Sequence, residues 1–137
     1  VSAIPPGFAK LDSTSPFHDL VGPLYEKRDG GTVTIGLAVA EKHKNRRGIV
    51  HGGMICTLAD FAMGHAAHWV TGTPRKLVTT TLSVDFAGNA RPGDWIEARV
   101  DVMQPGKRVA FVNCFVYHGA DRIARASATF QILRPDE

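Results

Sequence analysis

The sequence predicts an α+β domain in which an antiparallel sheet curls around one long, enclosed helix. Three observations predict it. Residues 48–70, GIVHGGMICTLADFAMGHAAHWV, carry one side chain charged at neutral pH, Asp60. A surface helix normally keeps a charged outer face, and one that is apolar or small all round is enclosed. Five to six other stretches alternate apolar and polar residues with the period of a half-buried strand. The later ones follow one another through short connections, which join antiparallel neighbours.

Residues 1–19 are rich in Pro, Ser and Asp and read as an irregular or short helical lead-in to a single domain over residues 20–137. Within the lead-in, Ser15-Pro16-Phe17-His18-Asp19-Leu20 can wind a helical turn with Pro16 at its first position. Gly22 to Arg28 is a short strand, closed by the turn signal Asp29-Gly30-Gly31. TVTIGLAVA follows, with Val33, Ile35, Leu37 and Val39 on one buried face. KHKNRR, residues 42–47, is a polar loop with four formal positive charges that leads into the helix. Wound at about 100° per residue, the helix puts Ile55, Leu58, Ala59, Ala62, Met63, Ala66 and Trp69 on one broad stripe. Asp60 falls roughly 120–140° from the centre of that stripe, beside the small residues Cys56, Gly64 and Ala67.

Thr71-Gly72-Thr73-Pro74 ends the helical pattern. LVTTTLSVDF then reads as a strand with Val78, Thr80, Leu82, Val84 and Phe86 on one face and Thr79, Thr81, Ser83 and Asp85 on the other. Gly88 to Gly93 is a turn. WIEARVDVM points Ile96, Ala98, Val100 and Val102 inward and Glu97, Arg99 and Asp101 outward. Pro105-Gly106 turns the chain into KRVAFVNCFVYH, apolar on both sides and therefore central. Gly119-Ala120-Asp121 is a hairpin, and RIARASATFQIL closes the chain with small or apolar residues at alternate positions from Ala124 to Ile132.

With 137 residues, 44% hydrophobic and 21% charged, the chain has the composition of one ordinary globular domain. A net charge of +3 without a long basic run is no nucleic-acid footprint. Cys56 and Cys114 are isolated in apolar surroundings, as buried thiols of a reducing compartment are. VSAIPPGF lacks the basic-then-apolar pattern of a secretory signal, so the expected location is the cytoplasm. A membrane span over residues 48–70 is disfavoured by Asp60 near its middle, by His65 and His68, and by the double glycine.

The chemistry concentrates at the helix entry. A glycine pair at a helix start exposes backbone N–H groups at the positive end of the dipole. A carboxylate on an enclosed helix is paired, protonated or in use, and Asp60 follows the glycines by about two turns. A buried Asp is more often structural and a Gly-Gly more often a turn; their combination carries the functional reading. His65 and His68 stand at helical i,i+3 spacing, but both lie well away from Asp60 on the wheel, so no metal site is expected. Cys56 reads as a structural thiol.

The element order, with Asn45-Arg46-Arg47-Gly48-Ile49-Val50-His51-Gly52-Gly53 and then Leu58-Ala59-Asp60, resembles the hotdog-fold acyl-CoA thioesterases. The similarity is greatest to the phenylacetic-acid-degradation thioesterases and their thioesterase-superfamily relatives. It runs through TLSVDFAGNARPGD to the FQIL strand, about residues 20–133. The resemblance implies a hotdog fold, a curved antiparallel sheet of about five to six strands wrapped around the central helix. It also implies an acyl- or aryl-CoA substrate cleaved to free acid and coenzyme A.

By that resemblance, Asp60 is the acid that activates water or attacks the thioester itself. Gly52 supplies the backbone N–H that polarises the carbonyl, with Gly53 next to it. Asn45 helps position water and the carbonyl, and His51 shapes the site or donates a hydrogen bond. Thr79 assists water, with Thr80 as a neighbouring substrate contact. Lys107 and Arg108 lie in the turn that, in relatives, is near the nucleotide. Attack on a thioester builds charge on its carbonyl oxygen, and one fixed donor is worth on the order of 3 kcal/mol there. Water needs a carboxylate to take its proton.

One helix cannot bring Gly52 and Asp60, roughly 12 Å apart by helix rise, to the same atom. The resemblance therefore implies a homodimer with composite sites, in which one subunit's glycine end faces its partner's Asp60, and a dimer of dimers beyond it. No cofactor is implied besides the coenzyme A of the substrate, and neither a nucleic acid nor a membrane is a partner. Two other classes stay open: a non-catalytic acyl-CoA-binding module, and a hotdog hydratase or dehydratase with a differently spaced Asp/His pair.

Overall fold

The computed structural model describes residues 4–12, 15–71, 76–103, 105–134 and 136. In it the apolar run after His51 winds into a 20-residue helix, α2 (Gly52–Thr71). The predicted stripe is the buried one: Ile55, Leu58, Ala59, Ala62, Met63 and Ala66 all face the core, with Trp69 packed at its margin. The break expected at 72–74 lies outside the described residues.

The sheet has seven strands, one more than the alternation predicts. The extra strand is β1 (Ala9–Lys10), two residues that pair antiparallel with β2 (Tyr25–Asp29). A strand that short has no alternation to read. Between them α1 (Pro16–Val21) starts at Pro16, and the Ser15 hydroxyl accepts the His18 N–H at 3.1 Å as its cap. β3 (Thr32–Ala38) follows β2 through Gly30-Gly31, with Gly30 at φ +62°, the left-handed backbone a two-residue hairpin requires. After α2 come β4 (Leu77–Phe86), β5 (Trp95–Val102), β6 (Val109–His118) and β7 (Asp121–Ile132).

The spatial order is β1-β2-β3-β5-β6-β7-β4, and every pairing is antiparallel. The central position expected for β6 is observed, between β5 and β7. Segment 87–94, however, is no hairpin. β4 pairs with β7 at the sheet edge, and the connection carries the chain back to β5 beside β3. Its backbone is spent on other elements: Ala87 and Gly88 donate to the Ile123 carbonyl, and Ala90 accepts from Val50 just ahead of α2.

The faces of β4 also differ from simple alternation. Thr79 lies opposite Phe130 and Thr81 opposite Thr129, so a bulge sits at Thr80. One extra residue inverts the alternation on one side of it. Thr79 therefore shares the helix-facing side with Leu82, Val84 and Phe86, while Val78 moves to the outer side with Thr81 and Ser83. Thr80 is absorbed by the bulge, and its hydroxyl donates to the Thr129 carbonyl at 3.0 Å.

The small residues of α2 are where sheet and helix meet closely. A Cβ on Gly64 would lie 3.2 Å from the Phe130 ring, and one on Gly52 3.4 Å from Phe86. Gly52, Cys56, Asp60 and Gly64 form an i,i+4 row, so this row is the side of α2 turned to β7 and β4. On the opposite flank, His65 stacks on Phe61 and bonds Glu26 of β2. Among the described residues, no helix is long and apolar enough to cross a membrane.

β3 meets Trp95 of β5 at Gly36, where an added Cβ would sit 2.0 Å from the indole. Gly36→Ala is expected to lower the free energy of unfolding by about 3 kcal/mol through overpacking, measured by urea denaturation. Gly31→Ala, at an open hairpin position, is the control.

Candidate active site

The loop before α2 is closed on itself before it delivers the helix tip. Asn45 donates its N–H to the Ile49 carbonyl at 2.8 Å, and Gly48, at φ +80°, donates to the Asn45 carbonyl at 3.1 Å. The Asn45 side-chain oxygen accepts from the N–H groups of Arg47 (2.9 Å) and Ile49 (3.4 Å). That oxygen therefore holds the loop, which leaves the Asn45 NH2 as the part able to reach a ligand. Val50 then donates to Ala90, and His51 donates its N–H to the His43 carbonyl at 2.7 Å.

The first turn of α2 disposes of its orphan amides one by one. The His51 carbonyl accepts from Met54 and Ile55. Its ring Nδ1 accepts the Gly53 N–H at 2.8 Å, so a histidine performs the capping that Ser or Asp usually performs. In this arrangement the neutral ring carries its proton on Nε2. Gly52 is left as the amide with no acceptor among the described residues. The Phe86 ring covers one side of it.

Asp60 is partly buried on the row that faces β4. Its Oδ1 accepts the Thr79 hydroxyl at 2.8 Å, and among the described residues it makes no ion pair. Glu26 makes a contrast. Burial pushes its carboxyl up, but hydrogen bonds from His65 and Arg28 outweigh that and hold it below the usual carboxylate range. Glu26 is neutralised in place, whereas Asp60 is steadied by one hydroxyl.

Gly52 and Asp60 thus lie along one exposed strand. Phe86 touches the Gly52 end and Thr79 the Asp60 end, so β4 runs antiparallel to α2. Cys56 lies between them on the same row, partly buried, its thiol pushed up by burial. Cys114 is deeper, with its thiol pushed up to about 12. Among the described residues, no three His, Cys, Asp or Glu side chains are grouped to hold a metal.

Positive charge flanks both ends. Beside the tip, a cavity of about 700 Å³ is lined by Asn45, Arg46, Arg47 and His51, with Lys44 paired to Glu41 at its rim. Lys107 and Arg108 precede β6 at the other end of β4. The Arg108 carbonyl accepts from Ile132, which lies opposite Leu77.

The thioesterase-superfamily sequence pattern matches residues 47–124, more than half of the chain. A Pseudomonas aeruginosa protein, PA0474, whose name proposes an esterase, is 38% identical over 94% of this chain and 97% of its own. Among solved structures, conserved protein PA5202 of P. aeruginosa superposes with a TM-score of 0.80 at 28% identity, over 87% of this chain and 94% of that one. Zebra fish thioesterase superfamily member 2 superposes at 0.77 and 27%, over 88% and 89%. A variant of phenylacetic acid degradation protein PaaI from Thermus thermophilus gives 0.76 and 25%, over 87% and 100%. The curved antiparallel sheet around one long helix is the hotdog fold, and the family match together with the esterase relative supports thioester hydrolysis in general. The chain belongs to the thioesterase superfamily.

Two residues at the site escaped the sequence reading. His43 sits in a charged loop that reads as solvated, yet its ring is buried. Phe86 reads as one more strand residue, and only the packing shows it against Gly52.

The His51 cap is testable on stability alone. His51→Ala is expected to destabilise the fold by about 1 kcal/mol and His51→Asn by less, since Asn retains an acceptor for the Gly53 N–H. Chemical denaturation of the three proteins checks this.

Proposed function

We propose that the protein is an acyl-CoA thioesterase. It works as a homodimer in which the Gly52 amide of one subunit and Asp60 of the other act on the same thioester. The carrying observation is that, among the described residues, an amide without an acceptor at a helix tip occurs with a carboxylate that no cation neutralises. Water attacks the thioester carbonyl carbon while Asp60 takes its proton. The oxygen, now an oxyanion, receives the Gly52 N–H, which the helix start also favours electrostatically. Collapse breaks the C–S bond, and the coenzyme A thiolate leaves and is protonated. Direct attack by Asp60 on the carbonyl is the alternative first step. Thr79 orients the Asp60 carboxylate, His51 holds the tip, Asn45 supplies its NH2 to water or carbonyl, and Gly53 and Thr80 line the approach. The chemistry asks for no resident cofactor beyond the coenzyme A that the substrate carries.

β4 supports the dimer. It is a ten-residue edge strand with Val78 45%, Leu82 37% and Phe86 53% exposed, an edge that in isolation invites pairing. Antiparallel pairing of two β4 strands about their middle sets the Phe86 end of one opposite the Thr79 end of the other. That brings the partner's catalytic acid to this chain's amide tip, twice per dimer. Further association into a dimer of dimers is part of the same reading, and the unpaired thiols support a reducing, cytoplasmic setting.

The composite site has a sharp test. Asp60→Asn and Gly52→Pro are each expected to lose about 10²–10³ in kcat, since Pro is tolerated at a helix start but donates no N–H. Mixed one to one by co-refolding, the two inactive proteins should recover about a quarter of wild-type activity, because half the dimers carry one intact site. No recovery would mean that both groups act within one chain.

At the other end of the substrate, Lys107 and Arg108 contact coenzyme A phosphates. Replacing both by Ala should raise KM for an acyl-CoA about five- to tenfold and leave that for the phosphate-free N-acetylcysteamine thioester unmoved. Steady-state thiol release on the two substrates reads the difference.

A further inference from the structure

Among the described residues, His43 is the buried histidine, at 3% exposure. It ends the 3-10 turn Glu41–His43 and is tied at three points. Its Nδ1 accepts the Ala40 N–H at 2.9 Å, and its Nε2 bonds the Val21 carbonyl at the end of α1. Its own carbonyl accepts the His51 N–H. The Ala40 amide can only donate and the Val21 carbonyl can only accept, so the ring is neutral with its proton on Nε2. His51 in turn holds Gly53 through its own ring. A continuous set of hydrogen bonds therefore runs from α1 through His43 to the amides of the helix tip.

The surroundings oppose a charge on this ring. Burial pushes its pKa below the ordinary 6.5, the Val21 hydrogen bond pulls the other way, and the ammonium of Lys42 adds to burial. From α1 the Leu20 and Val21 carbonyls meet this turn, the first of them bound by Lys42. On the same turn Glu41 is engaged by Lys44. Protonation would put a second N–H on Nδ1, directly facing the Ala40 N–H, and two donors cannot share that contact.

We propose that His43 is a positioning residue for the thioesterase reaction: neutral, it clamps the turn beneath His51 and fixes the Gly52 amide, and its protonation releases that amide and sets the acid limit of turnover. The proposal rests on the thioesterase reading above. Activity is present while His43 is neutral and is lost as pH falls through its depressed pKa. The change falls on kcat, because the Gly52 amide acts on charge that develops in the transition state.

The test combines kinetics with histidine NMR on the full chain. In the wild type, kcat is expected to fall about tenfold per pH unit below a midpoint under 6.5, with KM changing less than about twofold. Normalised to its own plateau, His43→Gln should move that limb about one unit or more toward acid. Titration of the His43 ring, and the pH-dependent shifts of the Gly52 and Gly53 amide signals, should share the wild-type midpoint. The proposal is overturned if His43→Gln keeps the same limb, or if the His43 ring stays neutral where kcat falls. A limb that instead tracks the His51 ring overturns it too. Should the variant not fold, the wild-type ring and amide titrations decide. A wild type that releases no thiol from acyl-CoAs would sink the functional reading separately, while amide signals indifferent to the His43 ring would sink the clamp alone.

Discussion

A twenty-residue helix without a charged face has to be enclosed, and the rest of the molecule follows from that constraint. The sheet curls to supply the enclosure. Its inner face is built from branched residues and alanines, among them the buried Ala124, Ala126 and Ala128 of β7. An enclosed helix still has a first turn whose amides need acceptors. Here His51 takes one amide with its ring and two with its carbonyl, and Gly52 is left over. An unmatched donor at the positive end of a helix is a cost to the fold and an asset to any reaction that makes an oxyanion there.

The second feature is the edge strand. β4 lies along the side of α2 that carries Gly52, Cys56 and Asp60, and its inner residues Phe86 and Thr79 meet Gly52 and Asp60. Its bulge re-aims the start of the strand: without it Thr79 would point away from the helix, and with it the hydroxyl reaches Asp60. The same strand exposes its apolar side chains and its unpaired backbone edge. Exposed edge and candidate site therefore lie along one strand.

Two carboxylates packed along α2 sit in contrasting environments. Glu26 is ringed by His65 and Arg28, with the Arg28 guanidinium also resting on Trp69. A carboxylate so neutralised locks β2 to α2 and makes a poor base. Asp60, a similar group five residues before His65, receives a neutral hydroxyl instead.

The sequence by itself determined the enclosed helix, the six longer strands and, outside the start of β4, their inward faces, because period and composition are local and survive without coordinates. It also marked Gly52 and Asp60, since a glycine pair and a lone acid are conspicuous in an apolar run. Only the tertiary structure decided that β4 pairs with β7 rather than β5, because strand order depends on where segment 87–94 spends its hydrogen bonds. Only it could show the bulge at Thr80, which shifts register without altering the apparent alternation. His43 was hidden for a related reason: a histidine among lysines and arginines looks solvated, and its burial is imposed by α1 and the loop before α2, which are distant in sequence and meet only in the fold.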